Sequence, residues 1–76
     1  MPLTDYEQQV RNVLEDLTGY SFTKNYDGDE ETYYYELIDN YGDVDGDPFF
    51  EFDDLVDYIC NNEQVNMEIT AMEEHA

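Results

Sequence analysis

Tyr20-Ser21-Phe22-Thr23-Lys24-Asn25-Tyr26-Asp27-Gly28, followed after three acids by Thr32-Tyr33-Tyr34-Tyr35-Glu36-Leu37-Ile38, is the stretch on which the fold turns. In its first half Tyr20, Phe22, Lys24 and Tyr26 alternate with Ser21, Thr23 and Asn25, the period of two that gives a strand one face on a core. Asp27-Gly28 is a hairpin turn signal. In the return strand Tyr33, Tyr35 and Leu37 take one face while Tyr34, Glu36 and Ile38 take the other, so both faces carry apolar bulk. The return strand is therefore expected at the centre of a sheet.

Upstream, Thr4-Asp5-Tyr6-Glu7 reads as a capping box that starts a helix. Tyr6, Val10, Val13, Leu14 and Leu17 form its apolar stripe, Asp5, Glu7, Glu15 and Asp16 its polar face, and Gly19 closes it in the left-handed conformation. Downstream, Asp39 to Pro48 is crowded with turn formers and reads as a loop. Phe49-Phe50-Glu51-Phe52 then reads as a short third strand, with Pro48 marking its start. Asp53 is placed to cap a second helix with Phe52, Leu55, Val56, Ile59 and Cys60 inward and Asp54 and Asp57 outward, ended by Asn61-Asn62. Residues 64–76 fit two patterns: Val65, Met67, Ile69 and Ala71 alternate like a strand, whereas Val65, Ile69 and Met72 fit a helix. The expected fold is a single α+β domain over residues 1–76. It has a three-stranded antiparallel sheet, helices on one face in α-β-β-β-α order, and an undecided C-terminal segment.

Charge dominates the composition. Against 21 Asp and Glu stand only Arg11 and Lys24, a formal net charge of −19 on 76 residues. Two cations cannot neutralise that number of acids, and solubility alone is met in a small domain by a net charge of about 2 to 8. Twelve aromatic residues, eight of them Tyr, make the chain too hydrophobic for a disordered acidic tail. Nucleic acid and anionic membranes would both repel such a chain, so direct binding to either is not expected. The single cysteine rules out an internal disulfide, no apolar run approaches a membrane span, and Met1-Pro2-Leu3-Thr4-Asp5 carries no basic apolar leader. A cytoplasmic location is expected.

Sites for chemistry are sparse. His75 is the only histidine, one residue from the end of the sequence, with no Ser or Cys placed as its nucleophile. Cys60 sits on the apolar side of the second helix with no cation nearby in sequence, which reads as a structural thiol. An EF-hand reading of Asp43-Val44-Asp45-Gly46-Asp47 fails, because Gly46 at loop position 6 puts Phe52 at position 12, where a carboxylate is required. No catalytic residue, metal ligand or cofactor is assigned, and the chain is not expected to be an enzyme.

The candidate site is instead the crowding of acids. Asp27, Asp29, Glu30, Glu31, Glu36, Asp39, Asp43, Asp45, Asp47, Glu51, Asp53, Asp54 and Asp57 place 13 of the 21 acids within 31 residues. Most charge runs are simply solvated faces. The near absence of Lys and Arg weighs against that reading, and Tyr34 and Tyr41, flanked by acids, add aromatic rims able to stack on a partner's arginines.

Size, charge, the α-β-β-β-α order and acids such as Asp27, Asp29, Glu30, Glu31 and those from Asp43 to Asp57 give a chain that resembles the small acidic DNA-mimic proteins of phages and mobile elements, especially anti-CRISPR proteins. The resemblance covers the whole chain and contains no specific motif. It implies that carboxylates stand in for phosphates on the DNA-binding surface of a basic protein or ribonucleoprotein complex, above all a CRISPR effector in a host cytosol. Mimics that inhibit restriction enzymes, uracil-DNA glycosylase or histone-like proteins share these features. So does a plain acidic module that binds a basic partner without copying DNA.

Overall fold

The computed structural model describes residues 2–74, and His75 lies outside the described residues. Five elements follow in order: α1 (Asp5–Thr18), β1 (Ser21–Asp27), β2 (Thr32–Ile38), α2 (Phe52–Ile59) and α3 (Glu63–Glu74).

Helix α1 starts where its capping box places it. The Thr4 hydroxyl accepts from the Glu7 amide at 3.1 Å, and a Glu7 carboxylate oxygen accepts from the Thr4 amide at 2.9 Å. It ends at Gly19, whose φ of 79° is left-handed and whose amide donates back to the Glu15 carbonyl. A Cβ at that position would stand 3.3 Å from the Asn40 Cβ, so both backbone angle and space call for glycine. Val10 and Leu14 form the buried centre of the apolar stripe, with Tyr6 and Leu17 at its exposed margins.

Strands β1 and β2 pair antiparallel from Ser21↔Ile38 to Asp27↔Thr32. Phe22, Tyr35 and Leu37 share one face of this hairpin and join Val10, Leu14, Leu55, Ile59, Val65 and Ile69 in the core. The turn spans residues 28–31, and its left-handed residue is Glu31, at φ 53°, rather than Gly28.

The sheet has two strands, not three, and the element order is α-β-β-α-α rather than α-β-β-β-α. The segment expected as a third strand touches β2 through an isolated bridge: Phe49 exchanges both backbone hydrogen bonds with Tyr35, at 2.7 and 2.8 Å. A second bridge joins Val44 to Ile38, supported by the Asp45 amide on the Leu37 carbonyl at 2.8 Å. Between the two bridges, Gly46 in a left-handed conformation (φ 81°) and Pro48 interrupt the ladder, while Phe52 already belongs to α2. A loop with strand-like contacts thus lies along the outer edge of β2.

Two local expectations also change. The N-cap of α2 is Glu51, without a side-chain hydrogen bond, and Asp53 lies in the first turn, where its charge favours the helix dipole. The undecided segment is helical through Glu74: the Asn62 side-chain oxygen accepts from the Gln64 and Val65 amides at 3.0 and 3.2 Å, which starts α3. Val65 and Ile69 enter the core and Met72 packs against it, while Met67 stays exposed.

Candidate functional site

The charged side chains exposed among the described residues are all acids, since neither of the two cations, Arg11 and Lys24, is exposed. Lys24 occupies a core-facing position on β1, and its Nζ donates to Glu7 Oε1 at 3.0 Å, with the two side chains only 12% and 7% exposed. Glu7, expected on the polar face of α1, is therefore buried. Its second oxygen accepts from the Tyr35 hydroxyl at 2.6 Å. Burial alone would push the Glu7 carboxyl up, but the Thr4 amide, the Tyr35 hydroxyl and the Lys24 ammonium outweigh it and hold the group below its ordinary value. The same burial, reinforced by Glu7, pushes the Tyr35 phenol far up and keeps it a donor. Arg11 is half-buried on α1, its guanidinium donating to the Gln8 side chain at 3.5 Å.

Of the 21 acids, 16 are exposed, Asp27, Glu36, Asp39 and Asp45 are half-buried, and Glu7 is buried. The 13 acids of the sequence cluster fall on three neighbouring pieces. Asp27, Asp29, Glu30 and Glu31 lie at the hairpin turn, Asp39 to Asp47 in the loop beside β2, and Glu51, Asp53, Asp54 and Asp57 on α2. The loop bridges to β2, α2 packs on β2, and the hairpin turn shares a recess with the loop through Asp27, Gly28, Pro48 and Phe50, so these pieces border the β2 side of the molecule. Helix α2 also meets α1, the Phe52 and Tyr6 rings lying 5.9 Å apart. Acidity extends past that side as well: Asp5, Glu15, Asp16, Glu63, Glu68, Glu73 and Glu74 are exposed on α1 and α3.

Three cluster acids also have structural duties. An Asp27 oxygen accepts from the Asp29 and Glu30 amides and organises the turn, and an Asp39 oxygen accepts from the Tyr41 and Asp43 amides and organises the loop. Glu36 accepts from the Asn25 side chain at 3.3 Å. The carboxylates of Asp29, Glu30, Glu31, Asp43, Asp45, Asp47, Asp53, Asp54 and Asp57 accept no hydrogen bond among the described residues and are free for an external donor.

The two candidate aromatics differ. Tyr41, at 88% exposure, projects from the acidic loop, while Tyr34 is half-buried with its ring centroid 6.2 Å from that of Phe50. Sequence reasoning passed over Phe50 and Tyr58, each about half exposed on this side. The Tyr58 ring lies 5.7 Å from that of Phe49, centroid to centroid, tilted by 50°. Their signal was an aromatic count larger than nine buried core positions can absorb.

The molecule measures 36 × 29 × 19 Å. Duplex DNA as long as its largest dimension would carry about 21 phosphates, against a formal net charge of −19. Among the described residues no group of three or more His, Cys, Asp or Glu side chains is arranged to hold a metal ion, and no helix is long and apolar enough to cross a membrane. Burial pushes the Cys60 thiol up, and the Glu73 and Asp57 carboxylates add to the shift, which disfavours the reactive thiolate. No protein-family model, curated protein or solved structure matches the chain.

Proposed function

We propose that the chain is a DNA-mimic inhibitor that occupies the basic DNA-binding surface of a nucleic-acid-binding protein or complex, a CRISPR effector being the foremost candidate, in the cytosol of the cell where it is made. The observation that carries this reading is the inward placement of the cations: Lys24 is consumed by Glu7 inside the fold and Arg11 is half-buried, while 16 acids stand exposed. A surface shaped only for hydration gains nothing from excluding lysine, since self-repulsion lowers stability. Glu31 adds support, because a left-handed backbone favours Gly or Asn, and a glutamate there keeps a charge against the conformational preference.

In this reading the carboxylates of the β2 side meet the arginines and lysines that hold phosphates, attraction over distance speeds association, and affinity falls with salt. The test is competition with target DNA for an effector complex. Reversing Asp43, Asp45 and Asp47 together to lysine juxtaposes like charges and weakens inhibition by on the order of a hundredfold, whereas reversing Glu73 and Glu74 has a much smaller effect. Equal losses from the two sets contradict the assignment. The exposed acids on α1 and α3 favour a second reading, an adaptor that binds a basic protein without copying DNA. Such an adaptor and duplex DNA can occupy the partner together.

A further inference from the structure

Behind the acidic loop lies a recess of about 350 Å3. Leu14, Leu37 and Ile59 supply its apolar lining, Tyr20 and Tyr58 its aromatic walls, Thr18, Asn61 and Asn62 a polar rim, and Asp45 its one acid. The C-terminal turns of α1 and α2 both reach it, through Thr18 and through Tyr58 and Ile59, and neither helix has a basic residue in its last turn. The negative ends of two helix dipoles are therefore left without a counter-charge from their own side chains. Asp45 is half-buried, with its backbone amide fixed on the Leu37 carbonyl at 2.8 Å and its carboxylate accepting no hydrogen bond among the described residues.

An apolar lining with aromatic walls and negative potential selects a cation that carries an aliphatic stem and sheds its water easily. Lysine has the stem, but its ammonium is compact and strongly hydrated. Arginine has both the stem and a flat guanidinium that stacks on a phenol ring and donates two parallel hydrogen bonds to one carboxylate. We propose that this recess seats an arginine side chain of the basic partner, with Asp45 as its carboxylate and Tyr58 as its stacking surface, and so provides the buried anchor of the interface. The inference rests on the reading that the partner is a basic protein. An arginine seated in a pocket concentrates binding energy that exposed charge pairs do not supply.

The test uses the full isotope-labelled chain in dilute buffer, titrated with acetyl-Gly-Arg-Gly-amide and with its lysine counterpart, and read by NMR at the Leu14, Leu37 and Ile59 methyls. The arginine peptide is expected to shift these signals saturably and to bind more tightly than the lysine peptide. Asp45→Asn weakens it roughly fivefold or more through loss of a charge-assisted contact, Tyr58→Leu weakens it while keeping an apolar wall, and Glu68→Gln, on α3 and outside the recess, leaves it unchanged. Unchanged Val10 and Phe22 signals verify the fold of each variant. Shifts spread over all acidic elements, indifference to Asp45→Asn, or equal binding of the two peptides overturns the proposal. Competition with DNA is scored separately: a chain that seats the arginine peptide here but does not compete keeps the recess and loses the mimic. One that competes without these shifts keeps the mimic and loses the recess.

Discussion

Replacing Lys24 with methionine is the sharpest probe of how this acidic chain holds together. The substitution keeps the aliphatic stem against Tyr33 and Tyr35, whose ring centroids lie 4.9 and 5.9 Å from Nζ, and removes only the charge. Glu7 is then left with the Thr4 amide and the Tyr35 hydroxyl but no counter-ion, in a site where its side chain is 7% exposed. Removing one member of a buried ion pair costs about 3 to 5 kcal/mol. A small part of that is recovered because the site is not fully dry, so a loss of about 3 kcal/mol is expected. For a domain of this size that lowers the melting temperature by about 12 to 24 °C, as followed by far-ultraviolet circular dichroism. The pH dependence has a definite sign. Glu7 titrates below its ordinary value of 4.5 in the folded chain. Its contribution is therefore fully present above that value and is lost as the pH falls through the lowered one. The gap between wild type and Lys24→Met narrows as the pH falls from the titration of Glu7 in the variant, raised by loss of Lys24, to its lowered titration in the wild type. A melting temperature within a few degrees of wild type at pH 7 refutes the claim that this pair organises the fold.

Glu31→Gly removes a side chain from a left-handed position and is expected to be neutral or stabilising by up to about 1 kcal/mol in urea unfolding, although glycine also raises the entropy of the unfolded chain. A clear destabilisation contradicts the assigned conformation. Cys60, its thiol pushed up by burial and by Glu73 and Asp57, is expected to react with iodoacetamide at pH 8 several times more slowly than in the urea-unfolded chain. Equal rates refute that environment.

The first helix and the hairpin were legible because each carries its own start and stop signals: the Thr4 and Glu7 box, Gly19, and the period of two on both sides of Asp27-Gly28. The third strand was misread because Phe49-Phe50-Glu51-Phe52 is too short to choose a period, and Asp53 and Asp54 draw Phe52 into the helix that follows. For α3 the deciding signal was Asn62, an N-cap that resolves the ambiguity of Val65, Met67, Ile69 and Ala71. Glu7 was recognised as a cap but not as a buried partner, since its second role depends on Lys24, 17 residues away. The clue was Lys24 itself, a cation at a core-facing strand position that demands a carboxylate. The acids of the candidate surface were countable in the sequence. The structural duties of Asp27, Glu36 and Asp39, and the recess beside Asp45, depend on contacts between distant segments.

The central claim is that the exposed carboxylates occupy the place of DNA phosphates, and mutual exclusion tests it most directly. The apparent affinity of the labelled chain for a CRISPR effector is measured by fluorescence anisotropy at fixed salt while unlabelled target duplex is raised. Mimicry predicts an apparent Kd that climbs in proportion to duplex concentration, with no ternary species at saturation. An apparent Kd independent of duplex, with chain and DNA bound together on the effector, contradicts it.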